Sequence, residues 1–329
     1  MYTRREFGTL AFTALPLTHF LGRSASALQS KPDSKVRGVT IGMNVPYNFG
    51  DRDMPVDDII RNCVALGVSG LELRTQPVEA ALGLPAATVS AAGGRGGRNA
   101  PPPTPEQDAT RKAAIEEIRK WRVSAPLDKV AAVRKKFEDA GILLEIVKVD
   151  GIFDMTDEVL DYEFKLAKAL GARAISTEIA HVDPKQPDYA VSRHKRIGQF
   201  ADKHQLMVGY HGHTETGPQE WEDVFKLAKF NGANLDIGHF LAGNKTSPVP
   251  FLKQHHDRIT HVHVKDKTLA NQNVPFGQGD TPIKEVLQLI RDNKWPIQAT
   301  IEFEYPIPQG SDRMTELKKC VDYCRAALA

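Results

Sequence analysis

Eight times along this chain a short run rich in β-branched and apolar residues gives way to an amphipathic stretch of helical period, and that rhythm constrains the fold more than any other feature. The predicted strands are 36–44, 70–74, 143–150, 172–179, 207–213, 234–238, 259–265 and 298–304. The predicted helices are 56–66, 127–140, 157–170, 188–204, 220–230, 249–256, 283–293 and 313–328. The stretch 56–66, VDDIIRNCVAL, shows the logic, with apolar residues three and four apart so that one face of a helix can be buried. Ala140-Gly141 and Leu170-Gly171 supply glycine at helix ends, where a left-handed cap is needed. Strands alternating with helices through tight joins predict a single-domain α/β fold, a closed parallel (β/α)8 TIM barrel, over a doubly wound sheet.

Two stretches stand outside the rhythm. Residues 1–27 carry Arg4-Arg5, a mostly apolar run from Thr9 to Leu21, and the small-x-small triplet Ala25-Ser26-Ala27. That order predicts a cleavable twin-arginine signal peptide, with 28–329 as the barrel, an extracytoplasmic (periplasmic) destination and the Tat translocase as a transient partner. The second is an insertion at 76–125, with Gly93-Gly94-Arg95-Gly96-Gly97-Arg98 and Pro101-Pro102-Pro103, expected as a mobile loop, then a charged helix at 105–121. Lying in a βα loop, it could cover a pocket or be a plain surface excursion.

Charge and cysteine usage exclude several classes. With 43 Lys+Arg against 41 Asp+Glu the formal net charge is +2, and loss of Arg4, Arg5, Arg23 and Glu6 brings the remainder closer to neutral. A nucleic-acid partner, which calls for a basic excess, is therefore not expected. No second apolar run is long enough to span a bilayer, so stable membrane insertion after export is not expected either. Cys63 has no obvious partner, and Cys320 and Cys324 are four apart on one predicted helix, a spacing poorly suited to a disulfide.

In a barrel of this kind chemistry gathers where the strands end. The fourth predicted strand ends at Glu178, the fifth carries His211 and His213, and the sixth carries Asp236 with His239 beyond it. The seventh carries His261, His263 and Lys265, and the eighth carries Glu302 and Glu304. Alternation puts His211 with His213 on one side, and His261 with His263 and Lys265. Imidazole and carboxylate without thiolate suit a divalent metal such as Mn2+, Zn2+, Co2+ or Mg2+. Gly277-Gln278-Gly279, ahead of the helix at 283–293, could also hold an anion such as a sugar phosphate, although an extracytoplasmic setting favours an unphosphorylated sugar.

These motifs resemble the xylose isomerase-like barrels, a group holding sugar isomerases, ketose 3-epimerases, inosose dehydratase and endonuclease IV. The resemblance rests on Asp236-Ile237-Gly238-His239, His263-Val264-Lys265-Asp266 and Glu302, and it spans the chain after the signal apart from 76–125. It implies that the metal is held by His211, Asp236, His263 and Glu302. Many members carry glutamate where His211 stands, and in the epimerases that glutamate is both ligand and base. Glu178, one strand earlier, could supply the missing carboxylate as a fifth ligand or as the base.

The resulting expectation is a metal-dependent sugar isomerase or epimerase working through an enediolate on a free, glycosidic or keto-sugar. Glu178 or Glu302 would move the proton, Lys265 would stabilise oxyanion charge, and His239 would bind a hydroxyl. The alternatives are a lyase or hydratase on a 3-keto-sugar or inosose, and a non-catalytic periplasmic sugar-binding protein. Oligomerisation is open.

Overall fold

The computed structural model describes residues 31–92, 104–182 and 185–329. The expected signal peptide at 1–27 and the Gly/Pro-rich run at 93–103 lie outside the described residues. Eight parallel strands form the centre: β1 (Val39–Val45), β2 (Gly70–Arg74), β3 (Leu143–Lys148), β4 (Ala174–Glu178), β5 (Met207–His211), β6 (Asn231–Asp236), β7 (Ile259–Val264) and β8 (Gln298–Ile301). Each pairs with the next, and β8 pairs back onto β1 with Ala299 opposite Ile41, so the sheet closes into a TIM barrel.

Eight helices surround it: α1 (Val56–Leu66), α2 (Val130–Asp139), α3 (Asp157–Ala169), α4 (Pro187–His204), α5 (Pro218–Leu227), α6 (Val249–His255), α7 (Ile283–Asn293) and α8 (Arg313–Leu328). The apolar spacing explains their seating. In α7, Ile283, Val286, Leu287 and Ile290 fall on one face and all are buried. Each such side chain contributes roughly 1.5–3 kcal/mol on leaving water. The glycine after α1, Gly67, adopts the left-handed conformation (φ 69°) and its N–H caps the carbonyl of Cys63.

Three features differ from the sequence expectation. First, β6 runs from Asn231 to Asp236, and a helix at Ile237–Asn244 follows at once where strand was expected to 238. The carboxylate of Asp236 accepts from the His239 N–H at 2.7 Å and caps that helix. Second, β8 ends at Ile301, so Glu302 and Glu304 extend from the loop beyond the strand. Third, the insertion holds two helices, Thr75–Ala81 and Ala86–Ala92, besides the expected charged one, which runs Pro105–Val123. They flank the 93–103 run, and Thr104 and Gln107 form a reciprocal capping box at the start of the charged helix.

Arg122, near the end of that inserted helix, ties it to the barrel by binding Glu79 through two bonds of 2.7 and 3.0 Å and Glu163 of α3 at 3.0 Å. Trp121 meets Tyr162 edge-on at 6.3 Å, which places it on α3. Phe240 stacks on Trp221 at 6.2 Å in the buried shell. The cysteines Cys63, Cys320 and Cys324 are free and buried. Among the described residues no helix is long and apolar enough to cross a membrane.

Candidate functional site

The register of the barrel brings the polar strand ends together. Glu178 lies opposite His211 in the β4–β5 pairing, and Asp236 lies opposite His263 in the β6–β7 pairing. One ligand atom from each of His211, Asp236, His263 and Glu302 falls within 4.8 Å of the others, and all four side chains are buried. Two further groups of the same tightness border this one, His211 with His213 and His239, and Glu72 with His261 and His263.

His263 stands at the centre. Its Nδ1 faces the rim, 3.1 Å from Glu302 Oε2 and 4.0 Å from Asp236 Oδ2. Its Nε2 lies 2.5 Å from Glu72 Oε2, on the far side of the ring. Lys265, two residues on, places Nζ 3.0 Å from Asp236, 2.7 Å from Glu302 and 2.9 Å from Glu304, with His239 Nε2 at 3.0 Å. Asn44 of β1 donates to the other oxygen of Glu302 at 3.0 Å.

Burial and crowding set the charges. Burial opposes charge on His263, but Glu302 and Glu72 outweigh it and raise its pKa to about 10. Burial likewise works against the Lys265 ammonium, yet Asp236, Glu302 and Glu304 hold its pKa well above the usual lysine value. Glu302 is pushed well below the carboxylate range, because His263 and Lys265 overcome its burial. Asp236 goes the other way: burial, only partly offset by Lys265 and reinforced by Glu302, raises it. Burial, aided by His263, keeps His211 neutral far below the usual histidine range.

This donor set fits a divalent cation. Four carboxylates, Glu72, Asp236, Glu302 and Glu304, surround the ammonium of Lys265 and the ring of His263, leaving negative charge for a cation to relieve. The neutral His211 also has a buried Nδ1 with no hydrogen-bond partner. Imidazole and carboxylate are the ligands that Mn2+, Zn2+, Co2+ and Mg2+ take.

Other expected residues sit differently. Glu178 stays apart from the quartet: its Oε1 pairs with the buried Lys148 at 2.5 Å and its Oε2 lies 3.7 Å from His213 Nδ1. The Gly277-Gln278-Gly279 turn does not present free amides to an anion. Asp266 already accepts from the N–H groups of Gly277 at 2.7 Å and Gly279 at 3.0 Å, so the loop is closed around an internal carboxylate. Glu72, Asn44 and Lys148 had no place in the sequence reading. For Glu72 the signal was available, since a glutamate between Leu71 and Leu73 in a short strand must point away from the apolar face.

The closed barrel and its histidine–carboxylate rim define the class. Residues 157–326 match the xylose isomerase-like TIM barrel family, and the chain belongs to it. Within that class it is similar to the inosose dehydratase of Clostridium botulinum (strain Eklund 17B / Type B), with 27% identity over 132 residues, covering 33% of this chain and 44% of that protein. The chain thus spans less than half the length of this curated relative. It also superposes on a sugar phosphate isomerase/epimerase from Parabacteroides distasonis, with a TM-score of 0.57, 15% identity, and 89% and 96% of the two chains covered. The 3-keto-D-glucoside 4-epimerase of E. coli gives a TM-score of 0.57 at 12% identity, covering 88% of this chain and 99% of that one. At these identities the structural likeness is one of fold, the fold of an enzyme family whose members here include isomerases or epimerases and dehydratases.

Proposed function

We propose that this protein is a divalent-metal-dependent sugar isomerase or epimerase that moves a proton on a carbon next to a carbonyl of a free, glycosidic or keto-sugar. The observation that carries the reading is the convergence of His211, Asp236, His263 and Glu302 at the barrel rim, with the ammonium of Lys265 against Asp236 and Glu302. A divalent cation held by those four residues would supply Lewis-acid polarisation of the substrate oxygens. Lys265, kept protonated by three carboxylates, sets a fixed positive charge where oxygen charge develops. His239, whose Nε2 meets Lys265 at 3.0 Å, is placed to bind a sugar hydroxyl. Glu178, positioned by Lys148, takes the carbon-bound proton and returns it. Glu302 is the less suitable acceptor, because Asn44, His263 and Lys265 already engage it.

Similarity to inosose dehydratases favours a second reading, in which the same proton removal is followed by loss of a β-hydroxyl as water. Export through the Tat translocase to an extracytoplasmic space belongs to the same proposal, rests on residues 1–27, and is tested by fusing them to a reporter.

The deciding experiment combines elemental analysis of the wild type and His263→Ala with incubation of both in D2O with a 3-keto-glucoside or an inosose. About one equivalent of metal, lost in the variant, together with deuterium entering the recovered sugar, supports isomerase or epimerase chemistry. An enone product with release of water supports the lyase. Metal-free protein without exchange or elimination, stabilised against heat by sugar, would point to a sugar-binding protein instead.

A further inference from the structure

Beside the centre, on the side of β1 and β8, a cleft of about 520 Å³ opens at the rim. That volume lies in the range that small ligands occupy. Tyr47, Arg52, Asn273, Phe303, Glu304 and Arg313 line it, drawn from the segments after β1, β7 and β8 and from the first residue of α8. Glu304 joins it to the centre, since the carboxylate that faces the cleft also holds Lys265 Nζ at 2.9 Å.

The charges of the cleft are unequal. Glu304 is answered three times, by Lys265, by the Tyr47 hydroxyl at 3.3 Å and by Asn273 Nδ2 at 3.4 Å. Burial, with Glu304 and Glu302 nearby, raises the Tyr47 phenol to about 12, so it stays a donor. Arg52 and Arg313, by contrast, have no ion pair among the described residues. The Arg52 guanidinium lies over the Tyr47 ring at 5.9 Å, and that of Arg313 over the Phe303 ring at 5.3 Å. Arg313 spends one donor on the Asn48 carbonyl at 3.1 Å, and a guanidinium has five. Gly50 makes room for it: its φ is +80°, and a Cβ there would come within 3.0 Å of Arg313 Nε.

Two guanidinium groups braced on aromatic rings, neither in a direct ion pair although the exposed Arg52 lies near enough to Asp150 to help lower its pKa, match a planar or tetrahedral oxyanion. We propose that this cleft is a substrate subsite for the anionic substituent, a carboxylate or a phosphate, of a sugar whose reacting carbons lie at Lys265 and Glu302. It extends the proposed function and rests on it: the enzyme acts on acidic rather than neutral sugars. The anion-binding role expected of Gly277 and Gly279, which Asp266 occupies, thus falls to Arg52 and Arg313.

Isothermal titration of the metal-loaded protein with D-glucuronate, D-glucose 6-phosphate and D-glucose tests this. At least one anionic sugar is expected to bind roughly tenfold or more tightly than glucose, with a preference that weakens as salt rises. Glucuronate ahead identifies a sugar acid, and the phosphate ahead a phosphorylated sugar. The double variant Arg52→Gln/Arg313→Gln should lose the preference while keeping wild-type metal content and melting temperature. The Arg52→Lys/Arg313→Lys pair should retain part of it. Equal binding of all three sugars, binding of none, or a preference that survives the glutamine pair would overturn the subsite. Deuterium exchange reads the chemistry separately: exchange without anionic preference removes only the subsite, and preference without exchange removes only the proposed reaction.

Discussion

His263 of β7 and Glu72 of β2 meet across the barrel, Nε2 to Oε2, at 2.5 Å, both wholly enclosed. The imidazole therefore turns Nδ1 toward Glu302 and Asp236, while its other nitrogen donates to a buried carboxylate. A ligating histidine oriented by a carboxylate has a fixed tautomer and a more basic free nitrogen. Burial works against the Glu72 carboxylate, but His263 and His261 hold it well below its usual range. Glu72→Gln is accordingly expected to weaken metal affinity about 10- to 100-fold while Glu302 and Asp236 stay in place. Competition titration with a chelator checks this, and unchanged affinity would remove Glu72 from the site.

Glu178 is assigned the proton, and its pairing with Lys148 gives that assignment a test. Glu178→Gln should lower deuterium exchange into the sugar by about 10^2- to 10^4-fold with metal content preserved. Near-normal exchange would hand the role to Glu302 or Glu304.

The inserted helix depends on Arg122, which lies between Glu79 and Glu163. Glu163 is fully buried, and burial raises its pKa against the pull of Arg122. Removing the guanidinium leaves two buried carboxylates facing each other, so Arg122→Ala should cost about 3–5 kcal/mol of stability at neutral pH. The measurement is the denaturation midpoint, with Arg122→Lys expected to fall between the variant and the wild type. A midpoint unchanged in the alanine variant would show that the insertion is held by other contacts.

His194 predicts an acid limb in the stability profile. Its Nδ1 lies 2.8 Å from the Ala190 carbonyl and its Nε2 accepts from Ala180 N–H at 3.4 Å, a pattern only the neutral ring satisfies. Burial lowers its pKa to about 4. The unfolded chain, near the ordinary 6.5, binds a proton that the folded one refuses. Stability contributed by the neutral ring is thus complete above the unfolded value and falls as pH drops from there toward 4, by about 3 kcal/mol at most. Urea denaturation across that window checks it, and His194→Gln should flatten this part of the curve.

How far the residues themselves disclosed the architecture is clearest at two strands. For β7 the alternation of Thr260, His261, Val262, His263 and Val264 announced both the strand and its inward face, and the structure places His261 and His263 there. For β6 the same reading ran past its end, because the run Leu235-Asp236-Ile237-Gly238 is as apolar as a strand. The Asp236 cap that starts a buried helix there was the signal to weigh. Glu178 was legible as a rim residue, but its partner Lys148 is 30 residues away and no local pattern joins them.

By itself the sequence determined what local chemistry can determine: which segments repeat as strand and helix, that eight such units favour a closed barrel, and which strand ends carry imidazole and carboxylate. Those properties follow from side-chain spacing along a few residues. The tertiary structure alone decided the pairings: Glu72 with His263, Lys265 among three carboxylates, Asp266 filling the glycine turn, and two arginines set over aromatic rings at a cleft beside the centre. Each depends on barrel closure and strand register, which bring together residues such as Tyr47 and Glu304, 257 positions apart, or Asn48 and Arg313, 265 apart. Charge that is nearly balanced along the chain becomes, once folded, a cluster of carboxylates gathered on the buried ammonium of Lys265.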